Sequence, residues 1–275
     1  MNIINIDQVR SLAPAAFSNT PDSSLSASYA HVTTASVLDA LQQDGWQITD
    51  ARQVRSRSLA SVEHRKHEIS LTHPLLPTHA EGAPLLRLAN SSDGASAFRL
   101  IGGFLRAACT NQLYSGIKCV GGVFNHRGGD LENRIVAGAR DARANFDKVI
   151  SRVDLWRSIE LSPEQQRDFA LRGLASRWPT NGPVSVNFEH ILTPRRSADV
   201  SNSLWSVFNR TQESLIRGGF DASFASAEER EQGYFSASRT FRRVRKVTGI
   251  SANERINTQL WELAESVASG QEVLV

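Results

Sequence analysis

The chain reads as an α+β protein. An N-terminal antiparallel β-layer with one long buried helix is followed by a mostly helical C-terminal half. Three observations predict this. Ile69 and Leu71 alternate with Ser70 and Thr72, the period-two pattern of a half-exposed strand. Phe98, Ile101, Leu105, Ala108, Cys109 and Gln112 follow the three/four spacing of one helical face. From Asp130 onward the apolar spacing is mostly helical. The expected organisation is a flexible arm over 1–28, an α+β core over 29–130, and a mainly helical region over 131–275 packed on that core.

The elements follow in order. Residues 1–28 carry Ser, Ala, Pro, Asn and Asp, with Ile3, Ile4 and Ile6 near the start. Those isoleucines dock on a neighbouring subunit or on their own domain. Thr33 or Thr34 caps a helix running to Gln43, which Asp44-Gly45 ends. A strand begins at Trp46, and residues 50–58 form its end and a basic loop. Residues 61–73 are a strand entered from a charged turn, and Leu85–Ala89 is the next. Ser92 or Asp93 then caps the central helix, whose Gly102-Gly103 costs about 1 kcal/mol per residue against alanine. A close backbone or a kink would account for that pair. Ile117–Asn125 is a strand on the far side. One helix spans 131–158. Ser162, Pro163 and Gln165 start another that runs to Arg177. Leu204–Arg217 is a helix stopped by Gly218-Gly219, and Asn253–Ala268 is the last.

Composition bounds the partners. The 275 residues are 40% hydrophobic and 21% charged, with a net charge of +3. That is ordinary globular composition, and charge distribution matters more than its sum. Cys109 and Cys119 read as buried thiols, with a disulfide or reactive site as the alternative. No basic start followed by an apolar run suggests a signal peptide. No apolar stretch approaches the roughly 20 residues of a membrane span. A cytoplasmic protein with no membrane association is expected.

His64, His67, His73 and His79 lie close in sequence but lack metal-ligand spacing, so surface histidines beside Arg65 and Lys66 are expected. Asn125-His126-Arg127-Gly-Gly-Asp130 places a His, an Arg and an Asp around a glycine turn, where Arg127 could clamp an anion. Asp130 and Glu132 also suit a helix start. No phosphate-loop pattern appears, so no nucleotide is expected, and no other cofactor or metal is implied.

The strongest functional signal is a set of basic runs without compensating acids: Arg52/Arg55/Arg57, Arg65/Lys66, Arg195/Arg196, and Arg239, Arg242, Arg243, Arg245 and Lys246. Phe235 and Phe241 lie beside the last run. Arginine and lysine contact phosphates, and aromatic rings stack on unpaired bases. No helix-turn-helix or zinc finger is evident.

Several runs resemble the phage/plasmid-like proteins carrying "domain of unknown function 932". They are Asn90-Ser-Ser-Asp-Gly-Ala-Ser-Ala-Phe-Arg-Leu, Cys109-Thr-Asn-Gln-Leu, His126-Arg-Gly-Gly-Asp, Leu161-Ser-Pro-Glu-Gln-Gln, Arg177-Trp-Pro, Leu192-Thr-Pro-Arg-Arg, Leu204-Trp-Ser-Val-Phe-Asn-Arg-Thr-Gln-Glu-Ser-Leu-Ile-Arg-Gly-Gly and Asn257-Thr-Gln-Leu-Trp-Glu-Leu-Ala. The resemblance spans roughly 29–268, implies a mobile-element origin, and carries no catalytic residues. The layout of helix, strands and long helix also resembles phage single-strand annealing proteins of the Erf, RecT and Rad-fifty-two-like kind, which hold unpaired DNA in a basic groove. The expectation is a non-enzymatic, ATP-independent, homo-oligomeric protein that binds and anneals single-stranded DNA. Its DNA contacts would be Arg55, Arg57, Arg65, Lys66, Arg127, Arg195, Arg196 and the 239–246 cations, with Phe235 and Phe241 stacking on bases. The alternatives are a phage or plasmid protein that blocks a host defence or regulatory protein, and a hydrolase using the His126–Asp130 turn.

Overall fold

The computed structural model describes residues 2–54, 62–106, 112–114, 120–233 and 240–274. Two compact units divide the chain, Met1–Ile150 and Ser151–Val275. The first carries an antiparallel sheet and the second is mostly helical, so the α+β class stands. The division falls twenty residues later than the expected 130/131 boundary, in the middle of a helix.

The first unit begins with α1 (Ile6–Leu12), closed by a reciprocal Asn5/Gln8 capping box. The Ile4 amide donates to the Ile48 carbonyl, and the Ala15 amide donates to the Gln53 side chain. Val9, Ala13, Ala15 and Ala16 are buried. The expected flexible arm is therefore an ordered segment docked on its own unit. Its alanines lose little side-chain entropy on packing.

Next come α2 (Thr34–Gln43), capped by Thr33, and β1 (Gln47–Gln53). The strands β2 (His67–Thr72), β3 (Gly82–Asn90), β4 (Phe98–Arg106), β5 (Gln112–Tyr114) and β6 (Gly121–Phe124) complete a six-stranded antiparallel sheet. Its order is β1-β2-β3-β4-β5, and β6 also pairs β4. β4 therefore meets β3 along one edge, while β5 and β6 share the other.

The expected long helix is β4. The run Phe-Arg-Leu-Ile-Gly-Gly-Phe-Leu-Arg is apolar at both helical and strand spacings, because both faces of this central strand are buried. The glycine pair lies inside the sheet, with Gly102 paired to Leu86 and donating to the Val120 carbonyl. Asp93 caps no helix. Its carboxylate accepts from the Ser91 hydroxyl and the Ala95 amide and so shapes the β3–β4 turn. Gly121 crosses tightly over β4, where a Cβ would strike the Leu100 carbonyl.

α3 (Leu131–Ala144) and α4 (Asp147–Ser158) replace the single helix expected over 131–158. At the break, the Asn145 side chain donates to the Asp141 carbonyl and competes with the backbone ladder.

In the second unit, α5 (Pro163–Arg177) has the Ser162/Gln165 capping box and first-turn proline that its sequence predicts. β7 (Ser185–Val186), α6 (Phe188–Leu192), α7 (Leu204–Arg217), β8 (Asp221–Ser223), α8 (Ala227–Gln232), β9 (Arg242–Arg243) and α9 (Ile250–Ala268) follow. Every residue from Leu204 to Ile216 is buried. Trp156, Trp205, Phe208 and Trp261 form the core around α7, with Trp156 and Trp261 4.4 Å apart. Among the described residues, no helix is long and apolar enough to cross a membrane.

Candidate functional site

The chain leaves α7 through Gly218 and Gly219, both with positive φ (67° and 84°). Gly218 is required there, because a Cβ would strike the Val244 carbonyl. Backbone bonds from Gly219 to Val244, from Val244 to Phe220 and from Val247 to Ile216 tie the 244–247 segment to this turn. The last carbonyls of α7 are satisfied by arginine. Arg177, from the end of α5, donates to the Leu215 and Arg245 carbonyls, and Arg195 donates to the Gly218 carbonyl at 2.9 Å. Cations suit the negative end of a helix.

Arg177 and residues of two basic runs that are far apart in sequence therefore meet at one turn. Nη2 of Arg195 and Nη2 of Arg243 each lie 3.8 Å from the point a Gly219 Cβ would occupy. Arg242, Arg243, Arg245 and Lys246 are exposed. Asp221 is the one carboxylate in ion-pair range of these four among the described residues, 3.8 Å from Arg243. Arg196 has a different role. It holds both oxygens of buried Glu213 and lies 3.7 Å from buried Asp199.

An aromatic array accompanies the arginines. Arg177 lies over the Trp178 ring at 4.7 Å, Trp178 meets Phe224 edge-on at 5.5 Å, and Arg242 lies over Phe224 at 4.4 Å. Sequence reading missed Trp178 and Phe224. Trp178 read as a helix stop, and nothing local links two residues 46 positions apart. Phe241 is 49% exposed. Arg55, Arg57, Phe235, Arg239, Cys109 and Cys119 lie outside the described residues. Arg65 and Lys66, both half-buried, and exposed Arg127 belong to the sheet unit.

The sheet unit closes its polar groups inward. Glu68 on β2 pairs with Arg87 on β3, both almost fully buried, and with Arg52 on β1 at 2.8 Å. Arg52 is therefore not part of an exposed basic trio. His67 and His73 are buried, contrary to the expected surface histidines. Period-two alternation on β2 fails to expose His67 because α2 packs Thr34 against it.

The Thr34 hydroxyl meets His67 Nε2 at 2.7 Å, Asn90 Nδ2 donates to Thr34 Oγ1, and His126 Nε2 lies 2.9 Å from Asn90 Oδ1. Burial pushes His67 down to about 4 and also lowers His126. His126 stacks on Tyr29 at 4.5 Å, so the His126–Asp130 turn keeps its histidine inside the unit and leaves Arg127 and Asp130 exposed. Burial and the nearby Asp93 charge push Tyr29 up to about 12. Among the described residues, no group of three or more His, Cys, Asp or Glu side chains could hold a metal ion.

Comparison with known proteins agrees with the motif resemblance. The family model "Domain of unknown function (DUF932)" matches residues 22–261, and the chain belongs to this family. It is 34% identical to the UPF0380 protein YafZ of Escherichia coli (strain K12) over 257 residues, covering 93% of this chain and 88% of the relative. It is 33% identical to the UPF0380 protein YfjQ of the same strain, with the same coverage. No solved structure matches. The layout likeness to phage annealing proteins rested on a long helix after the first strands. β4 takes that place, and the likeness falls with the helix.

Proposed function

We propose that this protein is a non-enzymatic binder of single-stranded DNA that holds the strand on the arginine surface of its helical unit. One observation carries the reading: Arg177 from the end of α5, Arg195 from beyond α6 and the basic segment around β9 converge on the Gly218-Gly219 turn. Exposed arginines in such an array displace counterions from a phosphate backbone. The Trp178–Phe224 pair between Arg177 and Arg242 adds ring surface, which favours unpaired bases over a merely acidic protein partner. In its fuller form, the reading has the protein act as a homo-oligomer that brings complementary strands together.

The test is binding of a fluorescent unpaired oligonucleotide across a salt series, with particle mass recorded alongside. Tight binding that weakens steeply with salt is expected, and strand mixing with the complementary oligonucleotide then reports annealing. Salt-independent or absent binding at low ionic strength would overturn the reading. In that case the cations would face an acidic protein partner, which a pull-down from host extract would identify.

A further inference from the structure

In the same unit, the start of α5 and the segment from β7 through α6 line an open groove of about 860 Å³. This is within the range of small-ligand sites. Val186, Phe188, Leu192 and Pro194 supply apolar wall, and Arg167 and Asn187 supply polar groups. The Arg167 guanidinium stands 5.7 Å from the Phe188 ring centroid. Asn187 Oδ1 is committed to capping α6, accepting from the Glu189 and His190 amides. Its Nδ2 has no acceptor among the described residues. The neighbouring Gln166 amide is used at both ends, donating to the Leu161 carbonyl and accepting from Arg210. The groove therefore offers a flat ring with hydrogen-bond donors beside it. That combination suits a planar heterocycle with carbonyl or ring-nitrogen acceptors.

Its position relative to the arginines narrows the ligand. Pro194 in the wall is followed directly by Arg195, whose guanidinium reaches the Gly218 carbonyl. Val186 pairs with Ala222, and Ala222 pairs with Arg242, so the wall and Arg242 lie in one cross-strand row. Two strand spacings separate them, about 10 Å. A stacked strand rising about 3.4 Å per nucleotide covers that in roughly three nucleotides.

We infer that this groove receives an unpaired nucleobase from a strand whose phosphates lie on Arg195, Arg242 and Arg243. Phe188 stacks on the base, and Asn187 and Arg167 donate to its edge. The inference rests on the nucleic-acid reading above and adds a base-recognition site to it.

The experiment titrates the full chain with a fluorescent oligothymidylate and with an abasic deoxyribose-phosphate oligomer of equal length. Phe188→Ala is expected to weaken oligothymidylate binding about fivefold to a hundredfold and to leave the abasic oligomer unchanged. Phe188→Tyr keeps wild-type affinity for both. An Arg242→Ala/Arg243→Ala double variant weakens both ligands alike. If Phe188→Ala binds oligothymidylate like wild type while the arginine variant is weakened, the groove assignment falls and the phosphate surface stands. If the wild-type protein binds neither ligand, both readings fall. Because Phe188→Ala could unfold α6, a second measurement uses wild-type protein alone. Photocrosslinking with an iododeoxyuridine strand, followed by peptide mapping, should place the adduct within 163–167 or 186–194. Adducts confined to other segments would overturn the assignment.

Discussion

Both units pair arginines with carboxylates, but the helical unit also keeps an exposed basic cluster. In the sheet unit, arginines fold onto carboxylates. Arg52 and Arg87 meet Glu68, Arg106 lies 3.7 Å from Glu81, and Arg140 and Arg143 face Asp44. In the helical unit, Arg172 and Arg196 are paired in the same way, but Arg242, Arg243, Arg245 and Lys246 stand in solvent, with Asp221 the one acid in ion-pair range of them among the described residues. The overall charge of +3 does not distinguish these cases. What distinguishes them is whether an acid lies within reach in the fold. A closed pair compensates charges that the packed layer buries, whereas an exposed cluster leaves potential for an external anion.

The largest expected effect breaks the closed side of this comparison. Arg87→Ala removes a fully buried cation from the buried Glu68 carboxylate, and should cost about 3–5 kcal/mol of stability. Urea denaturation would measure that loss, and DNA affinity of the folded protein should not change.

The second effect is a pH dependence of the same unit. His67 titrates near 4 in the fold against an ordinary value of 6.5, so the unfolded chain takes up the proton first. Its contribution is complete above pH 6.5 and is lost as pH falls toward 4. Over that window it amounts to about 3 kcal/mol. Denaturation midpoints between pH 7.5 and 4.5 test it, and His67→Gln should flatten the profile.

A third prediction separates two adjacent arginines. Arg196→Ala removes the clamp on buried Glu213 and should cost about 1–3 kcal/mol of stability while leaving the salt slope of DNA binding intact. Arg195→Ala should lower that slope by about 0.7, and should cost at most about 1 kcal/mol of stability through its lost bond to the Gly218 carbonyl. The smallest effect is Ser162→Ala, which opens the α5 capping box and should lower stability by about 1 kcal/mol with no effect on binding. Thermal melts and the same binding assay check both.

The parts of the fold that depend on local rules were legible. Thr33 and Ser162 cap the helices their chemistry indicates, and Gly218-Gly219 stops α7 as glycine should. β4 was not legible, because an apolar run buried on both faces has no unique period. The glycine pair was the usable warning, since two adjacent glycines are costly inside a helix and tolerable where strands pack closely.

At the site, residue type was legible and pairing was not. Arg52 and Arg196 look like their exposed neighbours, yet their partners Glu68 and Glu213 lie 16 and 17 residues away and are brought in only by strand pairing and helix packing. The convergence of Arg195 with Arg243 depends on β8–β9 pairing and the α7 turn, which no linear spacing encodes.

The measurement closest to the central claim compares the salt dependence of single-stranded DNA binding for wild type and for an Arg242→Ala/Arg243→Ala/Arg245→Ala variant. Each lost phosphate contact lowers the log–log slope by about 0.7, so the triple variant should lose roughly 2 from the wild-type slope while melting at an unchanged temperature. Equal slopes for the two proteins would contradict the account, since the exposed arginines of the helical unit would then touch no phosphate.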